Sequence, residues 1–131
     1  MRNLRRAVLP LLLLAGAGCG RGKPTEELVR DVRAKEEKDR LAAVRLLGQR
    51  KGDPARTVPA LTEALKDDDA GVRRSAANGL GYFGADAREA VPALQAALTD
   101  RDARVRESAA VALSRIDPTN FPAPPPHRKG K

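Results

Sequence analysis

Residues 58–80 read V-P-A-L-T-E-A-L-K-D-D-D-A-G-V-R-R-S-A-A-N-G-L, and residues 91–113 read V-P-A-L-Q-A-A-L-T-D-R-D-A-R-V-R-E-S-A-A-V-A-L. The offset is 33 residues, and 15 of the 23 positions are identical. Even an Ala-rich composition does not produce that agreement by chance. A fixed period of this length marks a stacked repeat, in which each unit is one small supersecondary element. The spacing inside each copy is helical. Val58, Leu61 and Leu65 recur at i, i+3 and i+7, and Val72, Ala76 and Leu80 at i, i+4 and i+8. The stretch predicts two helices joined by a turn at residues 66–69, and an all-α fold for the chain.

Working outward, Asp53-Pro54 opens the unit: an Asp cap followed by Pro at the first helical position. Pro59 either kinks this helix or marks its true start. Asp69 is placed to cap the second helix, whose last turns Gly79, Gly81 and Gly84 weaken. The next unit is expected to copy this. Asp86 caps it, and Glu89 three residues on completes an exchange of the capping-box kind. Val91, Leu94 and Leu98 line its first helix. Asp102 caps its second, with Val105, Ala109, Leu113 and Ile116 inward, and Asp117-Pro118 stops it.

Upstream, Leu28, Val32, Ala43, Leu47 and Gly48 fall at the 33-residue offset on Leu61, Leu65, Ala76, Leu80 and Gly81. A first, worn unit therefore occupies residues 25–49. Thr25 is its expected N-cap, with Glu26 and Glu27 in the first turn where the helix dipole favours acids. A second helix is expected over residues 39–49. The charge on the first helix suits a terminal unit, which must show one face to water.

These residues resemble HEAT repeats, in particular the short bacterial kind labelled after phycobilisome lyases. Pro59, Leu61, Asp67, Asp69, Val72, Arg73, Ala76, Ala77, Leu80 and Gly81 match the motif in one copy. Pro92, Leu94, Asp100, Asp102, Val105, Arg106, Ala109, Ala110 and Leu113 match it in the next, where Ser114 replaces the glycine. The resemblance covers residues 25–117 and implies a short α-solenoid of three helix pairs. It also implies that Asp67, Arg73, Asp100 and Arg106 tie neighbouring units in a structural polar ladder. Arg40 keeps the Arg position of the first unit, but Ala34 stands where the Asp is expected, so the ladder should break there. Helix pairs of this kind cannot bury their apolar faces alone, and about three are needed for stability.

The flanks read differently. Residues 1–18 have a basic start at Arg2, Arg5 and Arg6, a short apolar run and small residues before Cys19, the single cysteine. The run is too short to span a membrane and fits a secretory signal. Ala17-Gly18-Cys19 resembles a bacterial lipobox, with Gly16 in place of the usual Leu. Lipidation at Cys19 would anchor the chain in the cell envelope, facing the periplasm or exterior. Ordinary cleavage after Ala17 would instead leave an unpaired thiol in an oxidising compartment. Residues 19–24 are a tether. Residues 118–131 are Pro-rich and basic, and are expected to stay unfolded.

The net charge of +8 belongs to those flanks. Residues 24–118 carry 17 basic and 17 acidic side chains. A nucleic-acid binder shows its basic stripe on the domain itself, so that class is set aside. Gly79-Leu80-Gly81-Tyr82-Phe83-Gly84 spells G-x-G-x-x-G, but it ends a helix rather than linking a strand to one, so no dinucleotide cofactor is expected. Asp67, Asp68 and Asp69 lack the further oxygen ligands of a calcium loop, so no metal is expected. His127 lies in the tail and Cys19 at the address, which leaves no nucleophile with a base beside it. The reading is a non-enzyme with no small-molecule substrate.

Surface remains. The resemblance places the second helix of each pair on the concave side. Arg45, Arg74, Asn78, Tyr82, Glu107, Val111 and Arg115 then form a candidate face for a protein partner. The alternative is that this stripe is only the wet side of a spacer. The expected function is a lipid-anchored interaction or scaffold module. The second reading, following the family label, is an accessory subunit of an enzyme or chromophore-handling system.

Overall fold

The computed structural model describes residues 22–125. The signal segment and Cys19 lie outside the described residues. Six α-helices and one 3-10 segment account for the regular structure of that span: α1 Thr25–Asp31, α2 Glu37–Gly48, α3 Pro54–Ala64, α4 Ala70–Phe83, the 3-10 segment Gly84–Ala90, α5 Val91–Ala97 and α6 Ala103–Ile116. They form three consecutive helix pairs, a short α-solenoid. No helix among the described residues is long and apolar enough to cross a membrane.

The core follows from the repeat period. Leu28, Leu61 and Leu94, one in each first helix, are fully buried, as are Leu47, Leu80 and Leu113 in the second helices. Each series keeps the 33-residue spacing, so the core is two columns of leucine running through the stack. Val44, Val58, Val72, Val105 and Ile116 fill in around them. Because aromatic side chains are few, alanine and glycine set the helix spacing. A Cβ built on Gly79 would lie 3.0 Å from the Gly48 Cα, and one on Gly81 would lie 3.1 Å from the Ala112 Cα. Only backbone this bare lets α4 approach both α2 and α6 so closely. These glycines, read from sequence as weak points of a helix, are the places where neighbouring units meet.

The caps divide the units. Asp53 accepts from the Arg56 N–H at 3.4 Å with Pro54 at the first helical position, and Asp69 accepts from the Val72 N–H at 2.8 Å. Asp102 accepts from the Arg104 N–H at 2.8 Å. The Arg104 side chain and that N–H hold the Asp102 carboxyl down at about 2. Asp117 is the C-cap of α6.

Four expectations are corrected. Thr25 is not the cap of α1: Pro24 occupies that position without a side-chain bond, and Thr25 is the first helical residue. The α2 helix begins at Glu37, two residues before Asp39. In the third unit Asp86 and Glu89 make no cap. Gly84, at φ 55°, turns the chain out of α4, and a 3-10 segment with Ala87 at φ −98°, ψ 19° fills the space. Ala87 stands where Pro54 fixes the helical φ of the second unit, so here the α-helix starts only at Val91. Pro92 is therefore near a helix start, where its missing N–H costs nothing, whereas Pro59 lies inside α3 with its ring exposed. Finally, the C-terminal segment is ordered further than expected. The Asn120 N–H and Nδ2 donate to the Asp117 carboxylate at 3.2 and 2.6 Å, and Phe121 packs against the core.

Candidate interaction surfaces

The first feature is a row of buried ion pairs between units. Arg40 donates from Nε and Nη2 to the Asp67 carboxylate at 2.7 and 3.2 Å. Arg73 makes the same fork to Asp100 at 2.9 and 3.0 Å. In each case Nη1 turns back to two carbonyls of its own unit's turn: Ala34 and Lys35 for Arg40, Asp67 and Asp68 for Arg73. The rung thus joins the Arg of one unit to the Asp of the next. Ala34 does not interrupt it. That position faces the side where a preceding unit would stand, so the rung between the first and second units is intact.

The rungs are well shielded, and Arg73 is only 5% exposed. A carboxylate in such a place survives because charged donors surround it. Burial alone would raise the Asp67 carboxyl, but the Arg40 guanidinium and the Asp69 N–H outweigh it and hold it below its ordinary value. The Arg73 guanidinium lowers Asp100 likewise, against a smaller burial effect. The acids of the turn are committed to this work: Asp67 also accepts from the Asp69 N–H at 2.9 Å, and Asp100 from the Asp102 N–H at 2.9 Å.

The second feature is the outer side of the second helices. Arg45, Asn78, Tyr82, Glu107 and Arg115 are exposed, and Arg74 and Val111 half-buried. The structure does not hold these seven together as one face. Tyr82 and Arg115 are equivalent positions one period apart, and they meet: the Arg115 guanidinium carbon sits 5.4 Å from the Tyr82 ring centroid. A guanidinium at that distance is attracted to the ring face. Tyr82 still leaves 56% of its surface to solvent, the largest exposure among the big hydrophobic side chains described. Glu107 and Val111 belong instead to the C-terminal end. With Leu98, Ala103, Arg106 and Ala110 they line a groove of about 640 Å³ whose far wall is Pro124 and Pro125.

That end groove was missed in the sequence, and its signal was there. Leu98 repeats Leu65, which the third unit buries to 6% exposure; with no unit after it Leu98 is left 38% exposed. A clamp between first helices was also missed: Arg33 donates from Nε and Nη2 to the Glu63 carboxylate at 2.7 and 2.6 Å. No periodic partner announces it, because position 63 is Ala96 one period on.

Comparison with known proteins agrees with this geometry. A chain from the complex of CpcE and CpcF of phycocyanin lyase from a Nostoc species superposes with a TM-score of 0.67 at 30% identity, over 77% of this chain and 40% of that one. Human deoxyhypusine hydroxylase, in complex with glycerol, gives 0.61 at 29% identity, over 70% and 31%. An engineered protein gives 0.61 at 24% identity, over 72% and 46%, which speaks for the fold alone. The chain spans less than half the length of each of these structures. A search of curated proteins finds no match. The family model for HEAT repeats matches residues 25–114. With a repeat period, a pair of leucine columns and inter-unit rungs running through the matched region, the chain belongs to the HEAT-repeat family.

Proposed function

We propose that this chain is a non-catalytic scaffold that binds a protein partner and is held to the bacterial envelope by lipid on Cys19. The observation that carries the binding reading is the Tyr82–Arg115 pair, an aromatic ring left open on a molecule that buries its other large side chains almost completely. Tyrosine and arginine so placed are the residue types that anchor protein interfaces. The mixed charge around them suits a protein surface better than a phosphate backbone. The lipid reading rests on the small residues before Cys19, the single cysteine. Metabolic lipid labelling of wild type against Cys19→Ala tests it, with label expected only in the former.

The binding reading is tested by capture from membranes with wild type and with Arg74→Ala/Asn78→Ala/Tyr82→Ala. Loss of a specific captured protein is expected, and an unchanged set would remove these residues from the account. A second reading, an accessory subunit of a chromophore-handling system, is favoured by the likeness to the CpcE–CpcF complex of phycocyanin lyase. Visible absorbance in the protein purified from its host would support it.

A further inference from the structure

Arg106 repeats half of what Arg40 and Arg73 do. Its Nη1 turns back to the carbonyls of Asp100 and Arg101 at 2.7 and 3.3 Å, as the other two do in their own turns. That bond fixes the guanidinium. In Arg40 and Arg73 the remaining donors, Nε and Nη2, fork onto the carboxylate of the following unit. Among the described residues no carboxylate meets those two atoms of Arg106. The side chain is preset for a bidentate acid, the geometry guanidinium binds best.

The residues around it tell the same story. Ala77 is fully buried in the second unit, and its copy Ala110 is half-buried. Leu65 and Leu98 differ in the same direction. The end groove is therefore the surface with which an inner unit receives its successor. We propose that it binds a different protein, one that presents a helix pair with an aspartate in the connecting turn, so that this carboxylate completes the rung on Arg106 while its first helix covers Leu98 and Ala110. This rests on the protein-binding reading above and names a partner for a separate surface.

A second copy of this chain does not fit. In head-to-tail stacking the position delivering the acid is occupied by Ala34, which brings a methyl group to the open fork. The chain's own tail does not fit either. Pro124 and Pro125 wall the groove, and residues 126–131, P-H-R-K-G-K, hold no side-chain carboxylate. Three basic side chains there repel rather than replace an acid.

The test uses this chain to build its own probe. Full chain with Ala34→Asp and Arg106→Ala offers the acid and cannot accept one; wild type accepts and cannot offer. Mixing them is expected to give a one-to-one heterodimer in sedimentation, with a shift of the Arg106 Nε–H resonance in labelled wild type. Arg106→Ala in the acceptor, or Asn for Asp at position 34 of the probe, should weaken it by about ten-fold or more. Arg74→Ala/Asn78→Ala/Tyr82→Ala in the acceptor should leave it unchanged, which separates this surface from the inner face. No association up to about 1 mM, or association indifferent to Arg106 and residue 34, overturns the proposal. So does association seen only after shortening the acceptor beyond Phe121, which would make the tail the occupant.

Discussion

At position 79 the fold needs a hydrogen where any other residue would carry at least a methyl. The Gly48 Cα at 3.0 Å is backbone in a packed helix and cannot give way, and the Leu61 Cδ1 at 3.1 Å closes the other side. Helix propensity alone would reward alanine here by about 1 kcal/mol. Overpacking opposes it, so Gly79→Ala is expected to lose about 1–2 kcal/mol in chemical denaturation. Gly52 is the control: nothing lies within 4 Å of its built Cβ, and Gly52→Ala should change stability by less than about 0.5 kcal/mol. A glycine's propensity is a local property and can be read in a sequence. Its distance from another helix is a property of the assembled stack and cannot.

Among the helices, the second and third units show what repetition does and does not transmit. The leucine columns, the turns at the rungs and the second helices α4 and α6 follow the 33-residue offset closely, because side-chain burial depends on spacing alone. The entry to the first helix does not follow it. Asp53 and Asp86 are equivalent in sequence, yet only Asp53 caps, because Pro54 follows it and Ala87 follows Asp86. A one-residue difference thus replaces an α-helical start with a 3-10 segment. Asp69→Ala should cost about 1 kcal/mol, the usual loss of a cap. Asp86→Ala should cost less than about 0.5 kcal/mol. Equal losses in urea unfolding would show that Asp86 caps after all. Of the candidate surface, the positions were legible but their grouping was not. The periodicity puts Tyr82 and Arg115 in register, while the turn at Asp117 that brings Pro124 and Pro125 against Val111 depends on tail contacts that no repeat encodes.

In a stack, stability is a sum of units and the interfaces between neighbours. The rungs should therefore grade with their place. Arg73→Ala strands a shielded carboxylate and is expected to cost about 3 kcal/mol. Arg40→Ala, at a more open rung, should cost about 2 kcal/mol. Arg106→Ala, which has no rung to break, should cost less than about 1 kcal/mol. Urea midpoints in that order would support the gradient, and equal ones would refute it. The same rungs set an acid limit. Asp67 and Asp100 have folded values below their ordinary ones, so their contribution is complete above the unfolded carboxylate value of about 3.9 and fades as pH falls through the lower folded values. Melting temperature should drop below about pH 4, and Asp67→Asn/Asp100→Asn should start lower and flatten that drop. The rung and the bare-backbone contact also sit at opposite ends of the same helix: Arg40 stands in the first turn of α2 and Gly48 at its last residue. They are about 12 Å apart along the axis, at 1.5 Å per residue. Two fastenings so separated stop one unit from swinging on its neighbour, where either alone would be a hinge. The arc therefore meets a partner as a fixed jaw rather than a spring, and cutting one fastening should make it flex before it makes it fall apart.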